Sequence, residues 1–541
     1  MGLFSGLIIS LWGIAEHFGV SPSCVILRGQ LNASCWVQDV QTRVFATLGQ
    51  PNWMAAYLAM LIFPALYFLL TSSKKFSIFN FQFLILLIYY LAFTFTYSRG
   101  ATLGLIAGLV VFVVLFVFCH PEGKAQRISR FFASLRMTSL GKVLITFLFI
   151  NLLFGSALTR IQLSQLFSKP QSETVQQVTN SLTQLESGGT ESGQIRLIVW
   201  QGALDIFKHY PIFGSGVETF AYSYYQFRPA THNLTSEWDF LYNKAHNEFL
   251  NYLATTGTLG FGTYLLVIVS FIFWAVKSNL SKPSLLTVSL LASYVSYLVQ
   301  NFFGFSVVIV ALFFFLFPAL AFVSTDSIQP ISLKIPPPKK ISQIILLLTI
   351  IYLLFTITKL WYADTIFAEG EKENESGSSL RAYQALSLAN SLRPDEPFYL
   401  SELGVAAAGS ALDLKETEAT LSSQLKSQAQ SVTEYVLKSH PNNTSFWRTA
   451  IRTYYNLSQI DSSFNPKLLS TFDRAINLAP TDPKLRYNKA VVLGTMNRND
   501  EATLNLQKAL QLKPNYREAY LALGFFLFDQ RKYPEAVDQI R

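Results

Sequence analysis

Charge is scarce in this sequence. Asp, Glu, Lys and Arg make up 14% of its 541 residues, whereas 51% are hydrophobic and 15% aromatic. That balance excludes a water-soluble chain of this size and indicates a polytopic membrane protein. Cysteine is rare as well, with three residues. Cys24 and Cys35 fall in one loop, where a disulfide and two free thiols are equally open readings, and Cys119 reads as a small apolar residue at a helix end. No His/Cys/Asp cluster has metal-ligand spacing, so no metal or other cofactor is implied. No Gly-rich nucleotide loop follows a strand, which argues against a soluble nucleotide-sugar or ATP as the energy source. Neither a basic n-region nor a small-residue cleavage site precedes the first apolar run, so no cleavable signal peptide is expected. At Arg541 a helical pattern stops without a cap, and the chain reads as cut at both ends.

Long apolar runs are what the sequence does have. Nine are candidate membrane helices, near residues 3–19, 53–70, 79–97, 101–118, 143–158, 253–276, 283–300, 305–323 and 341–360. The basic residues orient them. Lys74 and Lys75, the group Lys124, Arg127, Arg130, Arg136 and Lys142, then Lys277 and Lys282, then Lys334, Lys339 and Lys340 all fall on one side, which the positive-inside rule makes cytoplasmic. Residues 21–50, the turn at 98–100, the loop at 159–250 and everything after 361 are therefore expected outside. Residues 1–360 hold 22 basic against 12 acidic residues and residues 361–541 hold 20 against 21, so the net +9 belongs to the membrane part. It reflects topology and anionic ligands, and nucleic acid is not an expected partner.

The outer loop begins with the polar stretch "QSETVQQVTNSLTQLESGGTESGQ", read as mobile, and then carries a short helix in "RLIVWQGALDIFKHYPIFGSGVETF" that ends near Pro211, Gly214 and Gly216. "STDSIQPISLKIPPPKK" reads as a Pro-rich connector before the last span. Beyond it a 34-residue period pairs Ala475 with Ala509, Leu478 with Leu512, Pro480 with Pro514 and Ala502 with Ala536. That period resembles tetratricopeptide repeats, helix pairs that stack into a solenoid, although Arg486 stands where the second unit has the usual aromatic, Tyr520. The expected fold is thus all-α. A multi-span helical bundle (residues 1–360, with the outer loop 159–250) is followed by an exterior α-solenoid (361–541), clearest at 470–541.

Three basic groups fall on the outer side. Arg99 lies in "FTYSRGATLGLIAG" between two spans, Arg196 opens the loop helix, and His246 precedes the sixth span. Taken singly, each has a plain alternative: an interfacial anchor for Arg99, a solvated helix residue for Arg196, and a helix start capped by Asn247 for His246. Taken together, they fit a lipid-linked diphosphate at headgroup depth, held by two guanidiniums through paired charge-assisted hydrogen bonds. Such a group leaves a sugar carbon without a proton donor when fixed cations hold its charge. The attacking hydroxyl then needs a base poised near neutral pH, which His246 supplies; Glu248 competes for that role, with Glu218, Glu237 and Asp239 as weaker candidates.

The segments "RVFATLGQPNWMAAYLAM" from Arg43, "TYSRGATLGLIAGLVVF", "RLIVWQGALDIFKHYPIFGSGVETF" and "AHNEFLNYLATTGTLGFGTYLL" together resemble the O-antigen ligase and polymerase-related membrane family over roughly residues 40–320. The resemblance implies a bacterial enzyme of the cytoplasmic membrane. It would take a glycan from undecaprenyl diphosphate on the outer face and pass it, without metal, to an exterior acceptor that is a lipid, polysaccharide or protein hydroxyl. Arg99 and Arg196 would hold the diphosphate and His246 would activate the acceptor, with Asn247 and Glu248 in support. Gly214 and Gly216 would let the loop approach the sugar, or form only a helix-terminal turn; Asn52 after Pro51 has the same plain alternative, a span start. About twelve spans are usual in the family against the nine counted here, and missing N-terminal spans would leave part of the lipid groove unaccounted for. A polysaccharide polymerase fits the same site. A non-enzymatic scaffold or glycolipid transporter is the reading from another class, although no inverted repeat or broken helix pair supports transport. The repeats are expected to recruit an acceptor protein or another partner.

Overall fold

The computed structural model describes residues 2–36, 38–72, 81–118, 139–158, 192–325 and 340–540. The polar stretch up to residue 191, nearly all of the Pro-rich connector, Cys119 and most of the orienting basic residues, among them Lys74, Lys75, Lys124, Arg127, Arg130, Arg136, Lys334 and Lys339, lie outside the described residues. Among the described residues the regular elements are helices, with one isolated bridge between Val20 and Asn32.

Each of the nine expected spans is a helix: Gly2–His17, Pro51–Thr71, Phe81–Phe95, Arg99–Phe118, Ser139–Phe154, Glu248–Ser281, Leu285–Phe302, Val308–Ser324 and Lys340–Glu375. Five of these are long and apolar enough to cross a membrane, and the chain is an integral membrane protein.

The chain forms two compact units. The first draws on residues 1–178, 207–217 and 244–331. At its centre lies the Pro51–Thr71 helix, which has no charged residue, is buried almost throughout, and packs against Phe81–Phe95 and Leu285–Phe302. A second tight pairing joins Arg99–Phe118 to Leu285–Phe302. Gly104 and Gly108 explain its closeness. A Cβ on Gly104 would lie 2.3 Å from the Ser296 carbonyl oxygen, and one on Gly108 would lie 2.6 Å from that of Ala292. Small residues four apart let two backbones meet where lipid provides no hydrophobic drive, so contact distance rather than apolarity decides this pairing.

The second unit draws on residues 179–206, 218–243 and 332–541. Its Lys340–Glu375 helix is apolar and unburied from residue 340 to 362, and then buries Ala363, Ile366 and Gly370. One unbroken helix therefore serves as a membrane span and as the first helix of the array. Helix pairs follow: Ser379–Leu392 with Pro397–Asp413, Ala419–Ser439 with Thr444–Ile460, Asn465–Leu478 with Pro483–Thr495, and Arg517–Asp529 with the Asn499–Leu512 helix before it. The starts at Asn499 and Arg517 fall 34 residues after Asn465 and Pro483, which gives the sequence period its structural form, a tetratricopeptide-like array. Alanines make the pairing close. Ala475, Ala490, Ala502, Ala509 and Ala519 are all fully buried where neighbouring helices meet.

Candidate active site

Within the first unit one end of the bundle gathers the loop at 18–50, the corner at 96–99 and the heads of two spans. The loop is stapled by a disulfide between Cys24 and Cys35, which resolves the two readings left open by the sequence. Glu16, fully buried at the end of the first helix, accepts hydrogen bonds from Ser21 Oγ at 3.0 Å and Ser23 Oγ at 2.9 Å. The corner is fixed from three sides. Arg43 Nε donates to the Thr96 carbonyl at 3.0 Å, Ser98 Oγ donates to Asn52 Oδ1 at 2.8 Å, and Tyr97, in a left-handed backbone, donates its hydroxyl to the Phe154 carbonyl at 2.8 Å. Asn52 Oδ1 also accepts from Arg43 at 3.2 Å. Arg99 follows this corner as an exposed first residue of its helix, so its guanidinium is presented from a fixed backbone. Arg43 and Asn52 are the residues that sequence reasoning passed over in this role. The signal was present, in the motif running from Arg43 across Asn52, but their shared partners in 96–98 are distant in the chain.

His246 occupies the left-handed region at φ 52°, uncommon for any residue with a side chain and found where surrounding contacts over-determine the backbone. Those contacts are visible. Asn247, almost fully buried, caps the Glu248–Ser281 helix by accepting the Leu250 N–H at 3.0 Å. The Ala245 N–H donates to Asn251 Oδ1 at 3.3 Å, and the imidazole stands edge-on to Phe305 at 5.2 Å. Glu248, buried, accepts the Ser306 N–H at 3.1 Å. The loop at 303–306 reaches further still: Phe305 meets Trp53, and a Cβ on Gly100 would lie 3.1 Å from Phe303 Cβ. The same short loop thus touches His246 and the residue after Arg99, bringing these two candidate residues to one end of one unit.

Gly214 and Gly216 have a backbone role. The Glu248–Ser281 helix breaks at Gly257, with φ 62° and ψ −165°, which leaves backbone groups on both sides without helical partners. The segment 211–216 supplies them. Ser215 N–H donates to Ala254 at 3.0 Å, Gly216 N–H to Thr255 at 2.9 Å, and Thr258 and Leu259 N–H groups donate to Pro211 and Ile212 at 2.9 and 3.2 Å. A Cβ on Gly214 would lie 2.2 Å from the Thr255 carbonyl carbon. Non-helical backbone at the head of a span is tolerated where protein satisfies it in this way.

Arg196 lies in the second unit, on the Ser192–His209 helix, partly buried, and burial pulls its pKa down while Tyr242 and Glu237 act in the opposite sense. Tyr242 donates its hydroxyl to Glu237 Oε2. Close by, the fully buried His232 shares a 2.7 Å hydrogen bond with the Tyr224 hydroxyl, and burial followed by the Arg228 charge pulls its pKa down to about 3. Of the loop acids, Asp239 pairs with Lys484 at 2.6 Å, and Glu218 sits in a left-handed backbone at φ 59°. Among the described residues no group of three or more His, Cys, Asp and Glu side chains could hold a metal ion.

A multi-span helical bundle with a glycine-broken span and a histidine in a left-handed backbone at its head defines an integral membrane protein. Residues 82–265 match the family model described as O-Antigen ligase (Wzy_C). The match encloses Arg99, Arg196 and His246. No curated protein matches the chain. Solved structures similar to part of it include MamA 41-end from Desulfovibrio magneticus RS-1, at 20% identity and TM-score 0.26, covering 33% of this chain and 90% of that one. A structure of MamA MSR-1 (C2) matches at 18% identity and TM-score 0.25, covering 34% and 93%.

Proposed function

We propose that this chain is a glycosyltransferase that moves a glycan from undecaprenyl diphosphate to an acceptor hydroxyl at the outer face of the bacterial cytoplasmic membrane. The observation that carries the reading is the strained, multiply anchored His246 at the head of a span, inside a segment matched to the O-antigen ligase family. In the reaction the acceptor oxygen bonds to the sugar carbon, His246 takes the acceptor proton, and the carbon–oxygen bond to the diphosphate breaks with its electron pair leaving on the lipid. Arg99 and Arg196 hold the charge that develops there. Asn247 keeps the histidine's backbone in place, while Glu248, engaged with the Ser306 N–H, holds the adjoining loop. The disulfide at the same end of the unit as Arg99 and His246 supports an exterior, oxidising side, as do Lys142, Lys277 and Lys282 at the other ends of their helices.

The test is purified full-length protein with undecaprenyl-diphosphate glycan and a panel of acceptors, read as released undecaprenyl diphosphate and as glycan transferred. Wild type transfers, and a folded His246→Ala variant loses about two to four orders of magnitude in rate. Equal release by both removes His246 as the base. Absence of transfer by folded wild type over the whole panel sinks the enzyme reading in favour of a scaffold. Product length separates a single ligation from polymerisation.

A further inference from the structure

Residues 218–243 of the outer loop are docked on the helical repeats of the second unit through buried polar groups. Asn233, with no exposed surface, donates from Nδ2 to the Thr481 carbonyl at 2.8 Å and the Leu512 carbonyl at 3.1 Å. Both acceptors lie where helices of successive repeats end or turn, at positions whose carbonyls lack helical donors. The Asn233 carbonyl in turn accepts from Lys513 Nζ at 2.9 Å, and that buried ammonium stands 4.7 Å from the centre of the Trp238 ring. Arg228 donates to Asn233 Oδ1 at 2.9 Å and to the Trp238 carbonyl, while Thr481 Oγ1 donates to the Arg228 carbonyl at 2.9 Å. Trp238 meets Tyr516 at 5.4 Å, and the Tyr225 ring faces Arg448.

Apolar packing alone tolerates slippage. A buried hydrogen-bond network does not, because a shifted register leaves polar groups unpaired in a low dielectric. The docking therefore fixes register. The fixed segment also bears Glu237 and Tyr242, joined by a hydrogen bond from the Tyr242 hydroxyl, and this pair counters the effect of burial on the Arg196 guanidinium; four residues after Tyr242 the chain reaches His246.

We propose that the repeat array is a brace for the enzyme's own outer loop, with Asn233 and Lys513 as positioning residues that set Arg196 for the donor diphosphate. This inference rests on the glycosyltransferase reading above. It assigns the turn side of the last two repeats an internal occupant, so that an external partner must use another face or displace the loop.

The experiment uses full-length protein in lipid nanodiscs, with wild type, Lys513→Met, Asn233→Ala, the double variant, and Lys513→Arg as the conservative change. Hydrogen exchange of peptides covering 228–242 reads docking, and steady-state transfer from the undecaprenyl-diphosphate donor reads positioning. We expect faster loop exchange and a donor KM raised about tenfold in either single variant, the worth of one charge-assisted hydrogen bond at Arg196. The double variant should add little, because both changes release the same contact, and Lys513→Arg should recover part of the KM. A merely structural loss of folded enzyme would lower kcat and leave KM unchanged, which overturns the proposal. Unchanged loop exchange in Lys513→Met and Asn233→Ala, or a released loop with wild-type KM, also overturns it while leaving the glycosyltransferase reading intact. Wild type without transfer sinks that reading and this proposal together.

Discussion

Replacing Gly214 by alanine tests the junction between segment 211–216 and the broken span. The new methyl would sit 2.2 Å from the Thr255 carbonyl carbon and 2.3 Å from the Thr256 nitrogen, backbone atoms that cannot rotate aside as a side-chain tip would. Alanine at φ +71° adds about 1 kcal/mol of left-handed strain. Relief requires segment 211–216 to lift from the span, and the four backbone hydrogen bonds lost are each worth about 1 kcal/mol net. The expected destabilisation is therefore about 5 kcal/mol, comparable with the whole stability of many domains. Gly262→Ala is the matched control. It lies on the same helix, has no atom within 4 Å of the added carbon, and should be neutral or stabilising by up to about 1 kcal/mol. Thermal unfolding of the solubilised proteins, with folded yield as a second readout, decides the matter. Should the two variants melt together, the glycine contact does not hold the loop to the span.

Two further outcomes follow from the site. In the donor-release assay Arg99→Ala should lower kcat/KM by roughly 10- to 100-fold, with Arg99→Lys recovering only part, because an ammonium keeps the charge but not the paired donors of a guanidinium. Full activity in Arg99→Ala would remove it from the donor site. Loop docking should weaken in acid: His232 is held neutral in the fold with its pKa near 3, against about 6.5 when unfolded, so its contribution is complete above pH 6.5 and is lost as pH falls toward 3. At pH 5.5 the protection of residues 228–239 should be about 1.4 kcal/mol lower than at pH 7.5 after correction for intrinsic exchange, and a pH-independent value would contradict this.

The spans were legible because a run of apolar residues of membrane length admits few other structures: eight of the nine windows match their helices to within about five residues at each end, while the last helix starts as expected and runs on to Glu375, fifteen residues past its window. The repeats were legible because a period survives substitution: Arg486 replaces an aromatic, yet the helix starts still fall 34 residues apart. Asn247 showed its capping role through residue type and position alone. Contacts between distant segments left no such mark. Gly257 looks like any glycine in a helical run, and its break becomes apparent only beside 211–216. Asn233 and Lys513 are residue types usually found in water, and nothing local announces that both are buried against each other. The burial of Glu248 and its bond to Ser306 were hidden for the same reason, since Ser306 lies 58 residues further on.

The unbroken Lys340–Glu375 helix has a mechanical consequence. With no break in the helix between residues 340–362 and Ala363, where packing with the repeats begins, the span and the array turn as one shaft. Adding a single residue between Leu360 and Ala363 would advance the array by about 1.5 Å and swing it through about 100° around that shaft. The heading of the repeats is thus set by helical phase, and the number of residues in this stretch carries the constraint more than their identity does.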